Sequence, residues 1–571
     1  MLNIKTIPQG YLEKMKMNKS WLHTGLILGA LFLLFSCAGV RPSSGPVIVT
    51  TSGAVRGYAD EEQTWSWKGI PYAKPPSGSL RWKAPLPPDP WPGILEARNF
   101  APPCVQRLFA GGPVIGSEDC LYLNIWKPRH HEEPLPVYVF IHGGGNTFGS
   151  SSIYPDYHGS RLAQAGEMIF VSMNYRLGPF GWFLHPSLTE DSGNSAEDSS
   201  GNYGLLDILR CLEWIQENIA AFGGDPGNVT LAGQSAGGMN VLALLLSERA
   251  SGLFHRAVCQ SGALMTSTPE EGYQRGIEVF HALLVAEGAA KTEEEAARLS
   301  SQMTPAERAQ YLRAKKPEEL LSLYQVVPSG LTDFPFHFTD GHVLPEEGFE
   351  ALERGTYPNT VPLMIGSNRD EFTMFFPAGS LSENRSSRFR YAVSLGSTLW
   401  KADAVDAVAR KLTERPDQGP VYAYYFLWGS SHRGEDNVLP GEWSILLGAS
   451  HSLEVPFFFG SQEIPRESLA RPLFTRANRK GRMDLSREMM LYLSNFVYTG
   501  NPNTPEEPST PWLPWSNQQG DEKCIIFDAG EKNSHIHMSY QELHGDTLLD
   551  LYGRYMPPED FNRVMEAVFW R

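Results

Sequence analysis

The chain has 571 residues, of which 42% are hydrophobic and 20% charged, a globular balance that excludes a disordered or fibrous protein. A net charge of −16 argues against nucleic acid as a partner, because neutralising phosphates needs a basic surface. The 54 glycines and 43 prolines are spread along the chain without a repeat, as in a fold with many loops.

The first informative segment is N-terminal. Lys14, Lys16 and Lys19 precede an apolar run, 25–35 (GLILGALFLLF), followed by Ser36 and Cys37. A basic region, a short apolar core and a small residue are the parts of a secretory signal. The run is shorter than the roughly 20 apolar residues a spanning helix needs, which disfavours an uncleaved anchor. Leu34-Phe35-Ser36-Cys37 resembles a bacterial lipobox, a signal whose cysteine is lipidated and becomes the mature N-terminus. Met17 would begin a tidier signal than Met1. The expectation is a signal over 1–37 ending in a lipidated Cys37, a tether over 38–46 and a folded body over 47–571. The protein would be exported across the inner membrane and held in the cell envelope by its lipid.

From residue 47, VIVTTSGAVRGYA alternates apolar and polar residues like an edge hairpin. The Pro-rich stretch from Pro71 to Pro92 is read as loop, since proline cannot sit in a ladder. Cys104 and Cys120 flank a Gly-rich loop and would close it in an oxidising compartment, constraining the unfolded chain by about 3 kcal/mol. The continuous apolar runs 137–141 and 168–175 suit parallel strands covered on both faces. A helix is predicted over 202–223, with Leu205, Leu209, Leu212, Ile215 and Ile219 on one face. A strand at 228–233, a buried helix at 236–248 and a strand at 256–262 follow. Residues 268–325 are rich in Glu, Ala, Lys and Arg at helical spacing and read as an insertion on top of the sheet. Strands return at 361–366 and 421–428, and a final amphipathic helix is placed at 484–498. Cys211, Cys259 and Cys524 each sit in an apolar stretch, where a buried, inert thiol is the expectation. Alternating strands and helices imply an α/β fold with a mainly parallel sheet.

Two motifs carry chemistry. Gly233-Gln234-Ser235-Ala236-Gly237 is G-x-S-x-G between an apolar strand and an apolar helix, the context in which a serine is lifted onto a sharp turn in an α/β-hydrolase sheet. His142-Gly143-Gly144-Gly145 directly follows strand 137–141. Acyl transfer develops a negative oxygen, and preorganised N–H donors must already point at it. Gly144, Gly145 and Ala236 are the expected donors. A serine nucleophile needs a base, and the base an orienting acid, in the chain order serine, acid, histidine. His451, in a loop before an apolar segment, is favoured as base over His535, His537 and His544, which sit in polar stretches. Asp370 and Glu371 both follow a strand, and the residues alone leave the acid open between them.

FGGDPGNVTLAGQSAG (222–237) and EDCLYLNIWKP (118–128) resemble the two signatures of the type-B carboxylesterase family. Further similar segments are 68–91, 174–182, 252–262 and 496–505, so the likeness runs from about residue 47 to the C-terminus. The resemblance implies the α/β-hydrolase fold, a mainly parallel central sheet flanked by helices, with the helical insertion after the sixth core strand. It implies Ser235 as nucleophile, Glu371 as acid and His451 as base, with Gly144, Gly145 and Ala236 as oxyanion donors. It matches Cys104 and Cys120 to the family's first disulfide, and Arg81 and Glu118 to a structural ion pair.

Three departures bear on substrate. Asn146 follows the glycine triplet, where the family often has an aromatic. The loop between Cys104 and Cys120 contains no tryptophan, which argues against a choline ester. The helical part between Glu371 and His451 looks abbreviated. The expected function is hydrolysis of small carboxylic esters through an acyl-enzyme, with no metal or organic cofactor needed. A non-catalytic binding module like the neuroligins, or an amidase or specialised ester hydrolase on the same triad, are the alternatives.

Overall fold

A computed structural model describes residues 44–571, apart from 108–111, 132, 154–156, 191–194, 327–330, 376–386, 431–437, 440–442, 462–472 and, near the C-terminus, 556–557, 560, 563–564 and 566–571. The signal expected over 1–37, with Cys37, lies outside the described residues. So does most of the tether, although Ser44, at its far end, already opens the first strand.

Among the described residues a 13-stranded sheet forms the centre. In spatial order its strands are Ser44–Val49, Ala54–Ala59, Thr64–Pro71, Tyr122–Pro128, Ile169–Met173, Leu135–Ile141, Gly224–Gln234, Arg256–Gln260, Leu363–Asn368, Val421–Phe426, Cys524–Ala529 and Ser534–Ser539, with Ile94–Glu96 beside Ala54–Ala59. Pairing is parallel from Ile169–Met173 through to Cys524–Ala529 and antiparallel at both flanks, except that Ile94–Glu96 runs parallel to Ala54–Ala59. The expected hairpin is present, Ser44–Val49 pairing antiparallel with Ala54–Ala59. The Pro-rich stretch is loop except for its first residue, Pro71, which ends a strand, and one turn of 3-10 helix at Gly78–Leu80.

The continuous apolar runs become central strands because both faces of the sheet are covered. In Leu135–Ile141, Leu135, Val137, Val139 and Ile141 enter one core while Tyr138 and Phe140 enter the other. Val421–Phe426 divides the same way, residue by residue, as the two-residue period of a strand requires. Helices Tyr203–Asn218 and Ala236–Leu246 cover the first face, and Arg479–Thr499 the second. Tyr203–Asn218 is buried on nearly every side, so its apolar stripe was only part of its packed surface.

The insertion consists of helices Pro269–Ala286, Glu293–Gln302, Pro305–Arg313 and Pro317–Leu321, after the strand Arg256–Gln260. Thr268 with Glu271, and Thr304 with Glu307, form reciprocal capping boxes that satisfy the first turns. The helix at 484–498 is longer than expected, Arg479–Thr499, and it is not the last element. The strands Cys524–Ala529 and Ser534–Ser539 and the helix Gly545–Tyr555 follow it. Between Glu371 and His451 lie Ser387–Lys401, a π turn at Ala402–Asp406 and Ala407–Thr413.

Cys104 and Cys120 form a disulfide, while Cys211, Cys259 and Cys524 are free and buried. Burial pushes the Cys259 and Cys524 thiols up to about 12 and about 11, away from reactive thiolates. Arg81 grips Glu118 through Nε (2.6 Å) and Nη2 (2.5 Å), and its Nη1 donates to the carbonyl of Lys315 in the insertion (2.6 Å). A second fork is deeper. Arg176 donates from Nε (2.8 Å) and Nη2 (2.7 Å) to Asp207, which also accepts the backbone N–H of Arg176 (3.0 Å). The two are 3% and 0% exposed, so each depends on the other for solvation. Replacing Arg176 with Met strands a buried carboxylate and is expected to cost about 3–5 kcal/mol in a urea titration. A loss under about 1 kcal/mol would show that this pair does not hold the loop to the helix.

Candidate active site

The site forms at the carboxyl ends of the parallel strands, where α/β sheets present their reactive residues. Ser235 sits between the strand ending at Gln234 and the helix beginning at Ala236, with φ 57° and ψ −124°. A side chain rarely adopts that backbone, at a cost of about 1–3 kcal/mol. Its N–H donates to Gln260 O (2.8 Å) and its carbonyl accepts from Met239 N (2.9 Å), so the turn is held on both sides. The motif glycines answer to space. A Cβ on Gly233 would lie 2.2 Å from Gly237 O, and one on Gly237 would lie 2.1 Å from Ile141 O. The left-handed φ falls on the serine itself.

The glycine loop lies alongside. Gly143 is so near that a Cβ on it would meet Ser235 Cβ at 3.0 Å. The carbonyls of the loop are anchored by neighbours within the loop. Gly143 O faces His142 Nδ1 (2.8 Å), and Gly144 O accepts from Thr147 N (3.0 Å), Phe148 N (3.1 Å) and Thr147 Oγ1 (3.0 Å). In a trans peptide the N–H points opposite to the preceding C=O, so these anchors turn the N–H groups of Gly144 and Gly145 the other way. Gly144 (φ 112°) and Gly145 (φ 61°) reach that turn because they lack a Cβ. Ala236, first in its helix, contributes an N–H with no intrahelical acceptor, at the positive end of the dipole. Burial lowers the His142 imidazole to about 4, so it is neutral, and Nδ1 carries the proton given to Gly143 O.

Glu371 and His451 meet. Nδ1 of His451 lies 2.5 Å from Glu371 Oε2, with the two side chains 6% and 0% exposed. A carboxylate can only accept, so Nδ1 carries the hydrogen and Nε2 presents its lone pair. Nε2 in turn lies 3.3 Å from the amide nitrogen of Gln234, the residue before Ser235. Glu371 Oε1 accepts from Ser261 Oγ (2.6 Å) and Asn368 N (2.6 Å). Asp370, the competing acid, turns elsewhere and accepts from Ala449 N (2.9 Å). His535 and His537 lie on the edge strand. Phe375 and Trp400 flank the His451 ring at 5.1 and 5.2 Å between centroids.

Comparison with known proteins places the chain in a family. The model of the Carboxylesterase family matches residues 44–412 and 382–543. The chain belongs to the carboxylesterase family. It is 35% identical to the para-nitrobenzyl esterase of Bacillus subtilis (strain 168) over 483 residues, 80% of this chain and 91% of that protein. It is 32% identical to the acetylcholinesterase of Bungarus fasciatus over 562 residues, covering 86% and 85%. The solved carboxylesterase of Geobacillus stearothermophilus superposes with a TM-score of 0.65 at 32% identity, covering 89% of this chain and 98% of that one. This carboxylesterase is therefore a carboxylic ester hydrolase of the α/β-hydrolase fold, acting on small-molecule esters.

Three groups beside Ser235, Glu371 and His451 escaped the sequence. Ser261 follows a strand with no motif around it, and Gln234 occupies a variable position of G-x-S-x-G. Glu454, a lone charge in S-L-E-V-P-F-F-F, was the one legible signal. In this carboxylesterase Glu454 is fully buried. Its Oε2 accepts from Asn368 Nδ2 (2.5 Å), and Oε1 has no partner among the described residues. Burial, and next the charge of Glu371, push its carboxyl up to about 7 from an ordinary 4.5. Between those two values the folded protein keeps a proton that the unfolded chain releases. Glu454 therefore costs stability as pH rises through the window from 4.5 to 7. Glu454→Gln should gain in melting temperature relative to the unaltered enzyme as pH rises across it; a difference independent of pH would contradict the raised value.

Proposed function

We propose that Ser235, His451 and Glu371 hydrolyse carboxylic esters through an acyl-enzyme. His451 Nε2 takes the proton of Ser235 Oγ as the oxygen attacks the acyl carbon. The carbonyl electrons move onto oxygen, which the N–H groups of Gly144, Gly145 and Ala236 stabilise. The intermediate collapses, the ester C–O bond breaks, and the alcohol departs with the proton held by His451. Water then gives a proton to Nε2 and its oxygen attacks the acyl carbon. Collapse releases the acid and returns the proton to Ser235. Glu371 holds the tautomer and stabilises the imidazolium in both halves. Each step uses protons and electron pairs of the residues, the ester and water.

The observation that carries this reading is the buried Glu371–His451 hydrogen bond, with Nε2 facing the residue that precedes Ser235. The test is hydrolysis of para-nitrophenyl acetate by Ser235→Ala, His451→Ala and Glu371→Gln. Ser235→Ala and His451→Ala should each lower kcat by about 10⁶-fold and Glu371→Gln by about 10⁴-fold, with KM little changed. A Ser235→Ala protein as fast as the unaltered one would remove the reading. A chain-length series of para-nitrophenyl esters then defines the acyl preference.

For the N-terminus we propose lipidation at Cys37 and residence in the cell envelope, anchored to a membrane. The basic residues, the short apolar run and the small residue before the cysteine support it. Labelled palmitate should enter the protein in a bacterial host, and Cys37→Ala should lose the label and leave the membrane fraction. A variant that kept both would overturn the proposal.

A further inference from the structure

The helix Ala236–Leu246 is buried along its whole length, and every residue in it is apolar or glycine except Asn240. A polar amide in such a setting is costly unless it is fully hydrogen-bonded, so its presence asks for a reason. Asn240 is paired with Asn146, which follows Gly145 directly and has a left-handed φ of 55°. Asn240 Nδ2 donates to Asn146 Oδ1 (3.0 Å) and Asn146 Nδ2 reaches back to Asn240 Oδ1 (3.4 Å). Both residues are 0% exposed.

The pair is embedded in further bonds. Tyr175 Oη lies within bonding distance of both His142 O (3.0 Å) and Asn146 Oδ1 (3.1 Å), tying the two ends of the glycine loop together. Asn146 O accepts from Gly178 N (2.7 Å). His337 Nε2 lies 2.7 Å from Asn240 Oδ1, and its Nδ1 lies 3.1 Å from Met265 O. These contacts connect the glycine loop to the helix that Ser235 caps, across 94 residues of sequence.

We propose that Asn146 and Asn240 are a positioning pair that holds the N–H groups of Gly144 and Gly145 in register with that of Ala236. The inference rests on the reading of those three groups as oxyanion donors. Two of the donors belong to a loop and the third to a helix. Gly237 packing on Ile141 O brings loop and helix together but leaves them free to slide. The reciprocal amides span the two, one residue past Gly145 and one helical turn past Ala236, and fix the slide. Donors of this kind act only when they already sit where the charge will develop, and losing one lowers kcat about 10²–10³-fold. Loosening two of them should have a smaller effect, carried by kcat.

The variants are Asn146→Gly, which tolerates the left-handed backbone, Asn240→Ala, which suits a helix, and the two combined. Rates on para-nitrophenyl acetate are expressed per site titrated with a fluorophosphonate, so that misfolded protein does not count. Each single variant should lose about tenfold in kcat, with KM within about twofold. The double variant should be no slower than the slower single one, since either change breaks the same tether. Unaltered kcat in both singles, with Ser235→Ala inactive, would overturn the proposal and leave the triad reading intact. A double variant slower by the product of the two would show independent effects and also overturn it. An active Ser235→Ala would remove both readings.

Discussion

The site depends on one close approach of backbone to backbone. The strand end at Gly233, the helix start at Gly237 and the strand end at Ile141 meet with no space for a methyl group between them. With the glycines supplying the room, the chain must reverse between strand and helix within a single residue, and Ser235 takes the left-handed conformation that this demands. The strain is local and the surrounding sheet over-determines it, which is how such residues persist. The same packing sets the start of an apolar helix beside the glycine loop. One constraint therefore locates the hydroxyl and the Ala236 N–H, and sets both beside the glycine loop.

Charge is handled by burial with matched partners. Glu371 is entirely removed from solvent and is surrounded by donors, Ser261, Asn368 N–H and His451. A second carboxyl, Glu454, stands behind Asn368 without enough donors of its own and is held toward its neutral form. Two carboxyls thus share one dry region with different numbers of hydrogen-bond donors. His142 and His337, each lowered to about 4 by burial, act as fixed neutral dipoles around the glycine loop and its support.

Much of this was legible in the sequence. Leu135–Ile141, Ile169–Met173 and Val421–Phe426 are apolar at every position but Ser172 because both faces of the sheet are covered, and such runs are readable without context. The serine and glycine motifs were readable because each needs a strand before it, and the structure sets His451 Nδ1 against Glu371. The last strands were not. Ser534–Ser539 is an edge strand in which only Ile536 and Met538 are apolar, alternating with the exposed His535 and His537, so the stretch reads as polar. Gly545–Tyr555 has an apolar face, Leu548, Leu549 and Tyr552, but buries none of its residues fully, and no element was placed there from the sequence. Ser261, Gln234 and the Asn146–Asn240 pair were invisible for a different reason. Their roles come from partners far along the chain, and no local spacing records such a partnership.

The most direct measurement is a crystal structure of the protein after reaction with a phosphonate ester. The account predicts phosphorus bonded to Ser235 Oγ, with one phosphonyl oxygen about 2.7–3.1 Å from the nitrogens of Gly144, Gly145 and Ala236. His451 Nδ1 would remain on Glu371. A phosphonyl oxygen turned to solvent or to side-chain donors, or a phosphonate attached to another residue, would contradict it.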